Sequence, residues 1–407
     1  MNNQIKYIDG GVCAANGFLA AGVHCGIRRN HSKKDLALIV SEVKATCAAV
    51  YTQNLVKGAP LTVTKDHISD GYAQAVICNS GNANTCNANG IEIAEGMCAL
   101  VEGATGIKAS DVVVASTGVI GQPLSLDPIS SHINELVKAL GTDSNSAAQA
   151  IMTTDTISKE VAVEFTLGGK VCRMGGIAKG SGMIHPNMAT MLVFVTTDAA
   201  ISPEMLSKAL SEDVKSSFNM VSVDGDTSTN DMVTVLANGL ADNDPITDDG
   251  AAFGLFCEAL AAVTRKLCKM IAQDGEGATK LIECNVSGAK DDATAKVVAK
   301  SVICSSLVKA AMFGADANWG RVLCAIGYSG ADVDISGVAV DFTSAAGTVK
   351  VCERGAGIEF SEEIAKTVLL EKEIKINVAL SDGDANATAW GCDLTYDYVK
   401  INGDYRT

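Results

Sequence analysis

The stretch that most constrains this chain is the run Met191-Leu192-Val193-Phe194-Val195-Thr196-Thr197, apolar and rich in β-branched residues. Such a run, bounded by turn signals, predicts a buried strand. The sequence just before it is unusual for a strand start. Residues 175–182 read as a flexible, polar, glycine-rich segment with one cation, Lys179, and His185-Pro186-Asn187 reads as a turn because Pro fixes φ and restricts the residue before it. Thr190 therefore stands at the mouth of a core strand. Were the Ala189–Thr190 bond cut, Thr190 would become an N-terminus whose own amine, with an ordinary pKa of about 7.7–8.0, is suited to act as general base for its hydroxyl. From the pattern alone the plainer reading also stands, in which Thr190 is a β-branched filler after a surface loop.

Composition narrows the alternatives. The 407 residues suffice for two or three domains, and the hydrophobic fraction of 47% against 19% charged is that of a globular protein. A net charge of −15 argues against nucleic acid as a partner. No run of 18 apolar residues and no basic-then-apolar leader is seen, so neither membrane span nor secretory signal is expected, and the localisation expected is cytoplasmic. The fourteen cysteines contain no CxxC pair, and most, Cys78, Cys257, Cys268, Cys304 and Cys324 among them, sit in apolar stretches. They read as buried thiols in a reducing compartment, and no metal site is expected. HExxH and GxSxG are both missing. Asp224, Asp226, Ser228 and Asn230 have the opening spacing of a calcium loop, but Thr229 replaces its glycine and Val235 its bidentate glutamate, which argues against calcium.

Along the chain, strands are expected at 36–40, 47–51, 75–78, 111–115, 281–286 and 374–380, and helices over 91–101, 130–140, 250–274 and 293–313. A further helix should open at Ser202-Pro203-Glu204, with Ser at the N-cap and Pro at the first position. Gly275 falls where a C′ glycine belongs, so Glu276 should emerge just past a rigid helix end. The basic cluster Arg28-Arg29 with Lys33-Lys34 reads most simply as a solvated loop. The strand ending in Ser116-Thr117-Gly118 presents a hydroxyl and an unhindered amide at its tip, the pair an acyl-transfer oxyanion needs, although a plain turn has the same sequence.

Several stretches together resemble the self-processing ornithine acetyltransferase (glutamate N-acetyltransferase) family: KGSGMIHPNMATML at 179–192, VDGDTSTND at 223–231, Asn-Trp-Gly-Arg at 318–321 and the closing 385–407. Ala317 stands where relatives usually carry Pro, and Gly403 where Ala is usual. The resemblance implies a layered α-β-β-α sandwich of the N-terminal-nucleophile kind with a smaller C-terminal α/β lobe. It implies cleavage between Ala189 and Thr190 into chains 1–189 and 190–407, assembled as α₂β₂. It places the nucleophile on Thr190, the oxyanion hole on Thr117 and Gly118, and substrate contacts on Thr154, Thr190, Glu276, Asn402 and Thr407. Lys179, a charged donor, suits a substrate α-carboxylate. The reaction implied is transfer of acetyl from N-acetylornithine to glutamate through acetyl-Thr190, with no cofactor and with acetyl-coenzyme A left open as a second donor. An aminopeptidase or amidase using the same nucleophile, or a non-catalytic amino-acid sensor, stays as the alternative.

Overall fold

The computed structural model describes residues 4–185 and 191–404; Ala189, Thr190 and Thr407 lie outside them. A nine-stranded sheet takes β1 (Lys6–Ile8), β2 (Phe18–Val23), β3 (Leu36–Tyr51), β4 (Tyr72–Asn79), β5 (Val112–Ser116), β6 (Lys159–Leu167), β7 (Lys170–Lys179) and β8 (Leu192–Thr197). It skips β9 (Val221–Ser222) and ends with β10 (Met232–Ala237). Its order is β1-β6-β7-β8-β10-β3-β4-β5, with β2 also on β3.

Side-chain alternation folds this sheet into two facing layers. In β4, Ala75 and Ile77 point to one core and Val76 and Cys78 to another; in β8, Leu192 and Phe194 share that second core while Val193 and Val195 face a third. The shared core is the inside of a sandwich. Outside one layer lie α2 (Gly90–Thr105) and α3 (Asp127–Lys138), after α1 (Ala59–His67). Helix α4 (Ser144–Ile151) inserts Ala147, Ala148 and Ile151 into the inner core. Outside the other layer lie α5 (Pro203–Asp213) and α6 (Ala251–Gln273). The arrangement is the α-β-β-α sandwich expected.

Strand β3 runs sixteen residues through both layers, where two short strands were expected. Its first half pairs with β2 and its second half with β10, from Thr46↔Ala237 onward, while the register against β4 shifts between Val40 and Ala45. The polar residues 41–44, which separate the two expected strands, are where the strand changes partners. They look like a break because the apolar alternation is interrupted, yet both flanks keep their ladders.

The C-terminal lobe is a seven-stranded sheet, β14-β13-β12-β15-β11-β16-β9, built from β11 (Leu281–Ala289), β12 (Ala339–Ser344), β13 (Gly347–Glu353), β14 (Ala356–Gly357), β15 (Glu373–Ala379) and β16 (Ala385–Cys392) with β9. Ile374, Ile376 and Val378 bury one face, as the alternation predicts. The helical stretch 293–313 is two helices, α7 (Asp292–Cys304) and α8 (Ser306–Phe313), because Ser305 turns extended and its hydroxyl caps α8 by accepting from Val308 N–H at 3.3 Å. Then come α9 (Trp319–Gly327), α10 (Glu362–Leu369) and α11 (Tyr396–Gly403). Helix α6, buried along Phe256, Leu260, Val263, Leu267 and Ile271, packs on both sheets and joins the two units.

All fourteen cysteines are free. Burial pushes the Cys25 thiol up to about 12, and a nearby Asp35 adds to this, so it behaves as an inert core group. Cys324 corrects the sequence reading: it is exposed, since α9 turns that face outward; Cys86, in the loop between β4 and α2, is exposed too.

Candidate active site

The segment read as flexible is not a loop. Gly175, Gly176 and Lys179 belong to β7, whose final residue is Lys179, paired across to Leu192 of β8. The glycine at 175 is required by close approach: a Cβ there would lie 1.8 Å from the Gly11 carbonyl oxygen. Parallel β10 starts in the same register, Met232 opposite Leu192, and Met232 N–H donates to Met191 O at 2.8 Å. The ends of β7, β8 and β10 thus meet where Met191 leads into β8.

The opposite layer arrives at this point through Asn230. Its amide donates to the carbonyls of Ala83 and Ser116, and its carbonyl accepts from Thr85 Oγ1 at 2.6 Å. This sets the turn after β5 beside the mouth of β8. Thr117 gives its own N–H to Asn79 O at 3.0 Å, so the backbone donor left at the tip is that of Gly118; among the described residues neither it nor the Thr117 hydroxyl has a hydrogen-bond partner. Gly118 has φ +130°, and a Cβ on it would come within 2.3 Å of Gly81 C and 2.5 Å of Asn82 N. Only glycine fits there.

Six residues singled out from sequence, Thr117, Gly118, Thr154, Lys179, Glu276 and Asn402, line one cavity of about 330 Å³. They come from the turn after β5, the α4–β6 connection, the end of β7, the turn after α6, and α11. Thr190, Ala189 and Thr407 lie outside the described residues. The cavity is small, of the size of an amino-acid derivative, and Lys179, only 8% exposed, gives it a cation.

Glu276 is fixed on three sides. Its N–H donates to Ser181 O at 3.0 Å, its Oε2 accepts from Asn402 Nδ2 at 2.7 Å, and a Cβ on Gly182 would sit 2.3 Å from its carboxylate. The positive φ of this turn falls on Gly277 (+68°), where Tyr398 N and Asp397 press close; Gly275 does not take the left-handed role expected of it. α6 ends instead with Asp274 as its C-cap, and Asp274 turns inward to a buried cation.

That cation, Lys159, was not legible as functional. Its Nζ lies 2.7 Å from Asp155 Oδ1 and 2.5 Å from Asp274 Oδ2, all three side chains essentially buried. Asp155 also accepts from Gly180 N–H and Thr153 N–H, each at 2.8 Å. One carboxylate therefore ties the Thr153-Thr154 segment to the residue after Lys179. Burial raises the Asp155 carboxyl, but Lys159, Lys179 and the Gly180 N–H outweigh it and bring it down to about 2. The only sequence hint was an acid and a base spaced i, i+4 in Asp155-Thr156-Ile157-Ser158-Lys159.

Asp231, at the start of β10, is the reverse case. It is fully enclosed, its Oδ2 has no hydrogen-bond partner among the described residues, and burial pushes its carboxyl well up, with Lys179 opposing. The calcium-like signature does structural work: Asp224 accepts from Met183 N–H at 2.6 Å and Ile184 N–H at 2.9 Å, and Thr227 Oγ1 donates to His185 O at 2.8 Å. It grips the chain up to the residue before Pro186. Burial and Lys300 bring the His185 imidazole down to about 4, so it is neutral at ordinary pH. Among the described residues no group of three or more His, Cys, Asp or Glu is placed to hold a metal ion. Nor is any described helix long and apolar enough to cross a membrane.

Fold and cavity define a class: a layered α/β protein with an amino-acid-sized cavity, at the mouth of a core strand, offering one cation, one carboxylate, and hydroxyl and amide donors. The chain belongs to the ArgJ family, whose family model matches residues 19–407. It is similar to the arginine biosynthesis bifunctional protein ArgJ of Caldanaerobacter subterraneus subsp. tengcongensis, 51% identical over 405 residues, which covers 99% of this chain and 100% of that protein. It is 49% identical over 407 residues to the protein of the same name from Bacillus subtilis, covering 100% and 98% of the two. A crystal structure of arginine biosynthesis bifunctional protein ArgJ from Bacillus halodurans matches with 48% identity and a TM-score of 0.50, covering 52% of this chain and 98% of that one. The family resemblance read from the motifs is thereby borne out.

Proposed function

We propose that this protein is a self-cleaving acetyltransferase of arginine biosynthesis, moving acetyl from N-acetylornithine to glutamate through an ester on Thr190. The observation that carries the reading is the convergence of Thr117, Gly118, Thr154, Lys179, Glu276 and Asn402 on one cavity where the chain emerges into β8. The names of the curated relatives agree with it.

In the precursor the Thr190 hydroxyl attacks the Ala189 carbonyl, and hydrolysis of the resulting ester frees chains 1–189 and 190–407. In turnover the Thr190 amine takes the hydroxyl proton, the hydroxyl oxygen attacks the acetyl carbonyl, and the C–N bond breaks as ornithine leaves with a proton. Glutamate's amine then attacks the acetyl ester and restores the hydroxyl. Thr117 Oγ1–H and Gly118 N–H donate to the oxyanion, each such donor lowering the barrier by about 2.7–4 kcal/mol. Lys179 holds the α-carboxylate. Glu276, oriented by Asn402, pairs with the substrate's amine or assists proton transfer, and Thr154 and Thr407 complete the pocket. Acetyl-coenzyme A serves as a second donor, in keeping with the word bifunctional in the relatives' names.

Two further observations support cleavage. The matched Bacillus halodurans chain is covered almost whole by about half of this one. And β8 and β10, on the C-terminal side of the scissile bond, lie between β7 and β3, on its N-terminal side, so the products stay joined by sheet hydrogen bonds. The free cysteines suit a cytoplasmic enzyme, and we place it there as an α₂β₂ assembly.

A denaturing gel of the purified protein is expected to show two bands, and mass spectrometry after N-acetylornithine an acetyl group on Thr190. Thr190→Ala should remain whole and inactive. Processing and acetyl transfer by that variant would refute the mechanism, while turnover that glutamate does not accelerate would indicate an amidase.

A further inference from the structure

The basic cluster read as a solvated loop has a destination. Arg28, Lys33 and Lys34 line a second cavity, of about 550 Å³, together with Ser32, Gln149 and Ser158, and no carboxylate is among its described lining residues. In a chain of net charge −15 this gathering of cations is out of keeping with the average surface. The loop that presents it is built. Asp35 is fully buried beneath the loop and spent on its backbone, accepting from Cys25 N–H at 2.6 Å and Arg28 N–H at 2.8 Å, while Asp274, behind the wall residue Thr156, is held by the Thr156 N–H and Lys159. Lys33 N–H closes a turn on Asn30 O, and Arg28 Nη2 donates to Met152 O, which ties the loop to the far wall.

That wall is shared with the reaction cavity. Met152 and Thr156 line the basic cavity, while Thr153 and Thr154 between them line the cavity of Lys179 and Glu276. One five-residue segment separates the two, and five residues of chain span at most about 18 Å even when extended. A ligand with phosphates in one cavity and a reactive carbonyl in the other needs a long, thin, flexible link. Neither amino-acid substrate has phosphates or such a length; an acyl thioester of coenzyme A has both.

We propose that the Arg28, Lys33 and Lys34 cavity binds the nucleotide phosphates of acetyl-coenzyme A, with the pantetheine arm passing over residues 152–156 to bring the thioester to the reaction cavity. Three cations with no carboxylate among the described lining residues favour multiply charged phosphate over a singly charged carboxylate. The inference rests on the acetyltransferase reading above, yet it fails separately from it.

The test uses the purified enzyme and three acetyl donors with glutamate: N-acetylornithine, acetyl-coenzyme A, and S-acetyl-N-acetylcysteamine, which keeps the thioester but has no phosphates. In the Lys33→Glu/Lys34→Glu double variant the ratio of kcat/KM for acetyl-coenzyme A to that for the truncated thioester should fall at least tenfold. Adenosine 3′,5′-bisphosphate should compete with acetyl-coenzyme A and leave N-acetylornithine turnover unaffected, and inorganic phosphate at the same concentration should do neither. An unchanged ratio, equal inhibition by inorganic phosphate, or a wild-type enzyme that neither uses nor binds acetyl-coenzyme A overturns the assignment. Loss of exchange between N-acetylornithine and glutamate in the wild type would instead overturn the reading of the reaction.

Discussion

Replacing Lys159 by Met tests how the site is held. The substitution keeps much of the side chain's volume and removes its charge, leaving Asp155 and Asp274 facing each other in a space from which water is excluded. Removing one partner of a buried ion pair costs about 3–5 kcal/mol. With an unfolding entropy of about 2.1 cal/mol/K per residue, a chain of this length loses about 4–6 °C of melting temperature for that cost. The pH dependence carries the sharper signature. In the wild type the Asp155 carboxyl is depressed from 3.8 to about 2, so its contribution, about 2–3 kcal/mol by linkage, is present above pH 4 and is lost only as pH falls toward 2. Without Lys159, burial of the Asp155 carboxyl loses its largest opponent, and its folded-state value should move above the ordinary one. The variant should then become less stable as pH rises from 4 to 7, where this network leaves the wild type flat. Thermal unfolding of both proteins at pH 4, 5.5 and 7 decides it. If the variant melts with the wild type at pH 7, or gains relative stability as pH rises, the ion-pair account is wrong.

Two further substitutions probe the cavity. Gly118→Ala must push its Cβ away from the Gly81 and Asn82 backbone, moving the amide proposed for the oxyanion; kcat should fall by about 10²–10³-fold while melting drops only a few degrees, and a variant with near-normal kcat would refute the assignment. Lys179→Met should lower kcat/KM for N-acetylornithine by about 10–100-fold, the worth of a charged hydrogen bond, but not for N-acetylputrescine, which has no α-carboxylate; equal losses on both would remove the carboxylate-binding role.

What could be read in advance was what local chemistry enforces. The run 191–197 marks β8, the Ser202-Pro203 start marks α5, and the helix expected over 250–274 matches α6 almost to the residue, because each depends on neighbours within a few positions. The six cavity residues were found through family motifs, which carry tertiary information that periodicity lacks. Lys159 and Asp274 escaped notice because their contact joins residues 115 positions apart, and Asp155, four positions from Lys159, gains its meaning only from that pairing and from Gly180. Lys179 was placed in a loop since glycines on either side signal flexibility; in the fold those glycines admit Gly11 and Ile184 against β7. The break at Ser305 was hidden because a serine within an apolar helical pattern looks tolerable until its hydroxyl turns to cap the next helix.

The placement of β8 and β10 between β7 and β3 has a consequence for how such a molecule comes into being. Residues up to 185 by themselves would present two raw strand margins where those inserted strands now lie, and residues from 191 onward would hold a parallel pair bereft of neighbours on either flank. The nine-stranded sheet is therefore complete in neither portion alone. If the proposed cut is made, translating both as one polypeptide first would guarantee equal stoichiometry and thread the weave before scission, and the uncut linkage would act as an assembly jig, needed to make the cloth and dispensable once it is woven.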